Sequence, residues 1–204
     1  MKLEVCKNTE ELVRKSTKWC ERQLDGEASI FLPAGSTPIP LYAAWEKSQN
    51  NFLKGKQIIQ LDEIISEKNE QKFYQFLCAH LPSYKSQIIP IQEAKTGAAI
   101  GVLGLGLNGH IAFHEPGVSD DFFKGDVLLT KKTCQSLKLK EGSKGLSFGL
   151  KAFLDCKALL LLVRGENKKN IFKKFLDHDE SLPAVKLLKH KDLTVFVEEN
   201  VLLT

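Results

Sequence analysis

The chain has 204 residues, of which 43% are hydrophobic and 26% are charged. This balance excludes a disordered chain and a collagen-like repeat, and the length is enough to bury a core without disulfide bonds or a structural metal. The net charge of +4 comes mainly from lysine, because Arg14, Arg22 and Arg164 are the only arginines. Specific nucleic-acid readers depend on arginine for two-pronged contacts, so nucleic acid is not an expected partner.

The sequence predicts neither a membrane span nor a secretory signal. Its longest apolar run, residues 98–107, is far shorter than the ~20 residues that cross a bilayer. The first residues mix acids and bases and contain no apolar segment of the kind found in signal peptides. The five cysteines are odd in number and form no close pair, which favours free thiols in a reducing compartment. We therefore expect a cytoplasmic protein with no membrane partner.

Short apolar runs alternate with stretches of helical periodicity along the chain. The apolar runs predict strands buried on both faces, over residues 28–33, 57–61, 98–105, 157–163 and 193–197. The periodic stretches predict helices over residues 9–24 behind Asn8 as N-cap, from Pro38 behind Thr37, around 73–80 and around 171–176. Such alternation is typical of α/β proteins. We expect one domain over residues 1–204, in which helices flank a mostly parallel, Rossmann-like sheet in three layers.

Ligands of such sheets bind at the carboxyl ends of the strands, so the segments that follow the apolar runs are candidate sites. The first of them, residues 32–38, joins a glycine turn to two hydroxyl residues and a helix start, with Gly35, Ser36 and Thr37 at its centre. Glycine permits close approach of the backbone, and amides at a helix N-terminus favour an anion. The segment predicts a phosphate site, and the alternative is a plain loop with Thr37 as N-cap.

The second candidate segment places two acids, Asp62 and Glu63, directly after an apolar strand. A carboxyl group that is partly buried there acquires the raised pKa that a general base needs near neutral pH. The alternative interpretation is a helix cap or a surface acid.

The third segment, residues 101–117, contains Gly104, Gly106 and Gly109 at the spacing GxGxxG. We reject a dinucleotide site, because Pro116 allows only about two turns of the helix that such a site requires. His110 and His114 are four residues apart, so they are predicted to share one face of a helical turn. The pattern lacks a third metal ligand, which leaves proton transfer by imidazole and carboxylate as the favoured chemistry.

The run GLGLNGHIAFHEPG at residues 104–117 resembles the signature of the glucosamine-6-phosphate deaminase (isomerase) family. Three further segments are similar to family motifs in the same order along the chain: LPAGSTP as the phosphate loop, LDEI as the acid pair, and the strand-end Gly-x-x-Lys in VRGENK at 163–168. The tail LPAVKLL at 182–188 resembles the family's closing helix. The related 6-phosphogluconolactonases share the fold and the glycine turn, but the Thr-Ala-Ser-Leu-Phe-Pro that typically follows their histidine is missing here.

The resemblance implies a role for each matching residue in the conversion of glucosamine 6-phosphate to fructose 6-phosphate and ammonia. Gly35, Ser36, Thr37 and Lys168, together with Gly106 and Gly109, would bind the phosphorylated amino sugar. His110 would move the proton that opens the sugar ring, with Asn108 and Glu115 orienting it. Asp62 would carry the proton from C2 to C1, with Glu63 adjusting it. No metal or organic cofactor is implied.

The chain also departs from the family pattern. Asn108 and His114 stand where Asp and Asn are usual, and an extra titratable group at 114 could alter substrate preference. The family's mobile lid, between Asp121 and Ser147, is short here and lacks its phosphate-binding arginine. Lys138 or Lys140 is the expected substitute. No C-terminal extension follows Leu203–Thr204, so we expect a monomer rather than the hexamer of longer members.

Two other functions stay open at this point. One is a 6-phosphogluconolactonase-type hydrolase in which His110 activates water, although Asp62 and the Glu115-Pro116 ending disfavour it. The other is a sensor that binds a sugar phosphate without turnover. Binding alone requires only the phosphate loop and Lys168, so the presence of Asp62, His110 and Glu115 together favours an enzyme.

Overall fold

A seven-stranded parallel sheet forms the centre of the protein. The computed structural model describes residues 1–48, 51–66 and 70–202, and Leu203–Thr204 lie outside these ranges. The strands of this sheet are β1 (Lys2–Cys6), β2 (Ser29–Leu32), β3 (Gln57–Gln60), β5 (Ile88–Ile89), β6 (Ile100–Gly104), β9 (Ala158–Val163) and β10 (Leu193–Glu198). Their spatial order is β1-β10-β9-β6-β2-β3-β5, and every neighbouring pair is parallel.

Helices cover both faces of the sheet. They are α1 (Thr9–Leu24), α2 (Ile39–Ser48), α3 (Lys72–His80), α4 (Lys131–Ser136), α5 (Leu150–Leu154) and α6 (Lys169–Leu176). Side chains of α1, α2 and α3 pack on one face, and those of α5 and α6 pack on the other. No helix in the described ranges is long and apolar enough to cross a membrane. The expected three-layer α/β arrangement is confirmed.

The burial of the strands explains why they appear as continuous apolar runs. All six residues of β9 are buried. Leu159, Leu161 and Val163 belong to the core under α5 and α6, whereas the alternate Leu160 and Leu162 belong to the core under α1 and α2. Because successive side chains of a strand point to opposite faces, a strand covered on both sides is apolar at nearly every position.

The direction in which successive strands are added to the sheet changes between β2 and β6. From β2 the chain continues to β3 and β5 on one side, and β6, β9 and β10 follow on the other side. Such a switch point opens a crevice between the loops that leave the two strands at their carboxyl ends. The segments that begin after Leu32 and after Gly104 therefore emerge next to each other.

A small antiparallel sheet was not predicted from the sequence. It consists of β4 (Asp62–Ile65), β8 (Lys144–Phe148) and β7 (Lys124–Leu128), in that order. The predicted strand over 57–61 corresponds to β3, which ends at Gln60. The chain then leaves the large sheet and enters the small one at Asp62 as the unpredicted strand β4. The new strands contain lysines and exposed residues, such as Lys124 and Leu128, so they lack the apolar signal of the central strands.

The predicted helices occur with small changes at their ends. α1 spans the predicted residues, and the Asn8 side chain caps it by accepting a hydrogen bond from the Glu11 amide at 2.9 Å. α2 begins one residue later than predicted, since its first backbone bond joins Tyr42 N to Pro38 O at 3.0 Å. The tail resembling a closing helix is a 3₁₀ helix over Pro183–Lys189.

The cap of α1 provides a test of this local structure. Asn8→Ala removes the acceptor for the Glu11 amide and is expected to lower the free energy of unfolding by about 1 kcal/mol. Urea unfolding followed by circular dichroism measures this loss. Asn8→Asp is the matched control, because aspartate also accepts the bond and suits the positive end of the helix dipole. Equal losses in the two variants would show that the cap does not stabilise α1.

Candidate active site

A cleft of about 250 Å³ opens at the switch point of the sheet. The loop after β2 forms one wall, the turn after β6 forms another, and α4 lies across from them. The residues that line it are Pro33, Ala34, Gly35, Ser36, Thr37, Pro38, Asp62, Phe73, Gly104, Leu105, Gly106, His110, Ala112, Phe113, Thr133, Ser136, Leu137 and Lys168. Asp62, His110 and Lys168, which lie far apart in the sequence, thus meet in one cleft.

Asp62 is the first residue of β4, at the point where the chain passes from the large sheet to the small one. Its side chain is buried, and no described residue donates a hydrogen bond to its carboxyl group. Burial and the nearby charge of Glu63 raise the pKa of Asp62 to about 8. An acid with this pKa exchanges protons near neutral pH, as a general base must.

The Glu63 carboxylate is held by several hydrogen bonds. Its carboxylate accepts hydrogen bonds from the amides of Phe73 and Tyr74 in the first turn of α3, from its neighbour Ile64 and from the Gln60 side chain, at 2.8–3.0 Å. It does not line the cleft. Glu63 therefore fixes the start of α3 and contributes its negative charge beside Asp62.

The His110 imidazole lies directly against the backbone of Gly106. A Cβ atom at position 106 would be 2.3 Å from the His110 Nε2 and Cδ2 atoms, so only glycine fits beneath the ring. Gly109 has a φ of +82°, and a Cβ there would meet Leu182 at 2.8 Å. Gly109 does not line the cleft, whereas Gly106 does.

The predicted helical turn after the glycines is wrong. Residues 107–117 form successive tight turns, with Ala112 in the left-handed region at φ +51° and a bond from His114 N to Ile111 O at 2.9 Å. His110 and His114 therefore share no helical face. His114 is buried outside the cleft, where its Nδ1 accepts a hydrogen bond from Leu150 N at 3.2 Å, and burial lowers its pKa.

Glu115 and Asn108 lie behind the imidazole. Asn108 Nδ2 donates to Glu115 Oε2 at 2.7 Å, while its Oδ1 accepts from the His110 amide, not from the ring. Glu115 Oε2 is 3.7 Å from His110 Nδ1. Burial opposes ionisation of Glu115, but the neighbouring His110 and the hydrogen bonds that the carboxylate accepts, such as that from Asn108, outweigh it and lower the pKa of Glu115 to about 2. A permanent negative charge thus lies close to the ring.

The other end of the cleft is suited to an anion. Gly35 has a φ of +108°, and no described residue hydrogen-bonds the hydroxyls of Ser36 and Thr37, which face the cleft. Lys168 follows β9 and lines the same cleft. Burial, assisted by the charge of Lys132, lowers the pKa of Lys168 to about 8. An anion bound there would stabilise the charged ammonium group against both its burial and the repulsion from Lys132.

Arg164 is a site residue that sequence reasoning missed. Its Nη1 donates to the Ser36 carbonyl at 3.1 Å, and its Nε lies 3.3 Å from the buried carboxylate of Glu198. Glu198 also accepts from the amide of Gly165 at 3.2 Å, in the turn that leads to Lys168. The pair therefore ties the two halves of the anion-binding end together. The only signal in the sequence was a rare arginine beside the glycine of Gly-x-x-Lys.

The segment expected to be a lid is ordered as β7, α4 and β8. Neither Lys138 nor Lys140 lines the cleft, and both are exposed. Lys132 is the lysine of this segment that is close to Lys168, with its Nζ bonded to Leu107 O at 2.8 Å. In the described part of the chain, no three His, Cys, Asp or Glu side chains are grouped as metal ligands would be.

Comparison with known proteins gives a consistent result. No family model matches the chain. A glucosamine-6-phosphate deaminase from Lactobacillus delbrueckii subsp. bulgaricus is 30% identical over 228 aligned positions, which cover 98% of this chain and 97% of that protein. A glucosamine-6-phosphate deaminase from Listeria monocytogenes serovar 1/2a is 31% identical, with 83% and 84% covered.

Solved structures share the fold. A monomeric glucosamine-6-phosphate deaminase superimposes with a TM-score of 0.85 at 24% identity, over 98% of both chains. A 6-phosphogluconolactonase from Trypanosoma cruzi gives 0.78 at 16% identity, over 98% of this chain and 95% of that one. At these identities the structures establish the architecture and leave the chemistry to the site.

The pKa of Lys168 leads to a test of the anion-binding end. Sulfate keeps its double charge across neutral and alkaline pH, so its affinity reports on the protein alone. We expect the affinity to fall as the pH rises through about 8, because Lys168 then loses its proton. Lys168→Arg should bind sulfate equally well across this range, since arginine stays charged. Shifts of the Ser36 and Thr37 amide signals in NMR titrations measure both. If the sulfate affinity of the wild type and of Lys168→Arg fell equally with rising pH, Lys168 would not be part of the anion-binding end.

Proposed function

The chain belongs to the glucosamine-6-phosphate deaminase family, and on this premise we propose that it converts glucosamine 6-phosphate and water to fructose 6-phosphate and ammonia. One observation carries the proposal: a buried acid, Asp62, whose pKa is raised to about 8, faces the same cleft as His110 and the anion-binding end around Lys168. A site for binding alone has no need of such an acid.

The phosphate group of the substrate would bind at the Lys168 end. The Ser36 and Thr37 hydroxyls and the amides of their loop would donate to its oxygens, and the Lys168 ammonium would balance its charge. Arg164 holds this loop through the Ser36 carbonyl. Fixing the phosphate orients the sugar, so that its carbons 1 and 2 reach the deeper part of the cleft.

His110 would open the sugar ring. Its imidazole accepts the proton of the C1 hydroxyl and returns it to the ring oxygen, which breaks the bond between C1 and that oxygen and leaves an aldehyde. Between these two proton transfers Glu115 would stabilise the protonated imidazole. The pKa of Glu115 is lowered to about 2, so the carboxylate stays charged. Asn108 holds Glu115 and the His110 backbone in place.

Asp62 would then carry out the isomerisation. Its carboxylate takes the proton from C2 while one ammonium proton of the substrate moves to O1, and an enolamine forms. The protonated Asp62 returns the proton to C1, which leaves a protonated imine at C2. Water adds to this imine and ammonium leaves, giving the ketone of fructose 6-phosphate. The C1 aldehyde accepts the electron pair released at C2, so the chemistry itself requires no cofactor.

We also propose that the protein acts as a monomer in the reducing cytoplasm. The structural relative with the same architecture is described as monomeric. The five cysteines, all in the described residues, are free thiols, which suits a reducing compartment.

The decisive experiment is an assay of purified, chelator-treated protein at about pH 8, where half of Asp62 is ionised. We expect ammonia and fructose 6-phosphate from glucosamine 6-phosphate, and no hydrolysis of 6-phosphogluconolactone. Asp62→Asn should abolish ammonia release yet still bind the sugar phosphate in calorimetry, because the anion-binding end is unchanged. Lactone hydrolysis would favour the lactonase alternative, and binding without either reaction would favour a sensor.

The contact between Gly106 and His110 gives a second test. Gly106→Ala forces the imidazole to move, and a displacement of about 1 Å at a catalytic group costs on the order of a hundredfold in rate. We expect kcat to fall accordingly. Gly97→Ala is the matched control, because this glycine lies outside the cleft lining and a Cβ there would make only ordinary contacts, the nearest 3.6 Å from the Phe31 ring. If the two variants had the same kcat, the position of His110 would not limit the reaction.

A further inference from the structure

The nearest hydrogen-bonding partner of the His110 ring comes from α4, not from Glu115. Thr133 Oγ1 lies 3.2 Å from His110 Nδ1, within hydrogen-bonding distance. The nearest carboxylate oxygen of Glu115 is 3.7 Å from the same nitrogen, which is too long for a hydrogen bond. The imidazole is therefore held by a hydroxyl group.

A second threonine joins this hydroxyl to the carboxylate. Thr130 Oγ1 is 3.2 Å from Thr133 Oγ1 and 3.1 Å from Glu115 Oε2. Asn108 Nδ2 donates to both Thr130 Oγ1 and Glu115 Oε2. The groups His110, Thr133, Thr130 and Glu115 thus form a continuous chain of hydrogen bonds behind the ring.

The donors and acceptors of this chain are directional. A carboxylate only accepts, so the Thr130 hydroxyl donates to Glu115. If His110 carries its proton on Nδ1, that proton is donated to Thr133, whose own hydroxyl proton then turns to Thr130. If the proton is on Nε2, Thr133 donates to Nδ1 instead. Ring opening requires a free Nε2, so the reactive imidazole carries a proton on Nδ1 both before and after it takes up the substrate proton, and it donates that proton to Thr133.

The surroundings of Thr133 are consistent with a fixed position. Its side chain is 2% exposed, although α4 is a short surface helix whose Lys131 and Lys132 are exposed. The next residue, Cys134, is buried in a small apolar cluster with Phe113 and Leu129, separate from the two main cores. Packing within this cluster holds α4 against the cleft.

We infer that Thr133 is a positioning residue for His110, and that its hydroxyl, with Thr130, connects the imidazole to the Glu115 carboxylate. The inference rests on the proposed function for its catalytic consequence, but the contact itself does not. Because Thr133 belongs to α4, the acid–base group is complete only when this helix is docked at the cleft.

The test compares three variants. Thr133→Val has nearly the same shape but lacks the hydroxyl, so we expect kcat to fall at least about tenfold, which is a part of the 10²–10⁴ that general acid–base catalysis supplies. KM should change less, because Thr133 is not at the anion-binding end. Thr133→Ser restores the hydroxyl and should recover most of kcat. Cys134→Ala is the control for the packing of α4, and it should retain the wild-type kcat.

A spectroscopic readout separates this inference from the proposed function. The ¹⁵N chemical shifts of the His110 ring, measured without substrate, should change in Thr133→Val and remain near wild type in Thr133→Ser and Cys134→Ala. If the wild-type protein releases no ammonia but the shifts change as expected, the proposed function fails while the contact stands. Unchanged shifts in Thr133→Val, or an equal loss of kcat in Cys134→Ala, would overturn the inference.

Discussion

The parallel pairing of β2 with β6 is the constraint on which the site depends. It places Phe31 beside Gly101. The missing side chain at Gly101 leaves room for Leu159 of the next strand, β9, which would lie 2.9 Å from a Cβ there. Parallel strands end at the same edge of a sheet, so the phosphate loop and the His110 turn leave the core side by side. Asp62 and Lys168 reach the same edge from the neighbouring strands β3 and β9.

The electrostatics of the cleft follow from how each charged group is surrounded. Asp62 is buried next to the charge of Glu63, no residue that the structure describes donates a hydrogen bond to its carboxyl group, and its pKa is raised to about 8. Glu115 is also buried, yet the neighbouring His110 and the hydrogen bonds that the carboxylate accepts lower its pKa to about 2. Burial alone therefore does not decide which acid can exchange protons, since hydrogen bonds to the charged form reverse its effect. Of the two carboxyl groups, Asp62 is therefore suited to proton transfer and Glu115 to the stabilisation of a nearby positive charge.

Most of the architecture could be predicted from the sequence, because strands buried on both faces are apolar at nearly every position. The gathering of Asp62, His110 and Lys168 also follows, since each lies in the segment that leaves such a strand at its carboxyl end. The antiparallel strand β7 was not predicted, because its exposed and charged residues mask any alternation of apolar and polar positions. Thr133 and Arg164 escaped for another reason: their partners His110 and Ser36 are distant in the sequence, and spacing carries no information about such contacts.

The position of β1 has a practical consequence for attaching the protein to a surface. Lys2 is already paired with Thr194, and β1 runs parallel to the strands that carry the site. Its first residue is therefore at the amino edge of the sheet, a strand length of roughly 17 Å from the carboxyl edge where the cleft opens. Immobilisation through Met1 would turn the mouth of the cleft away from the support and leave it open to diffusing molecules.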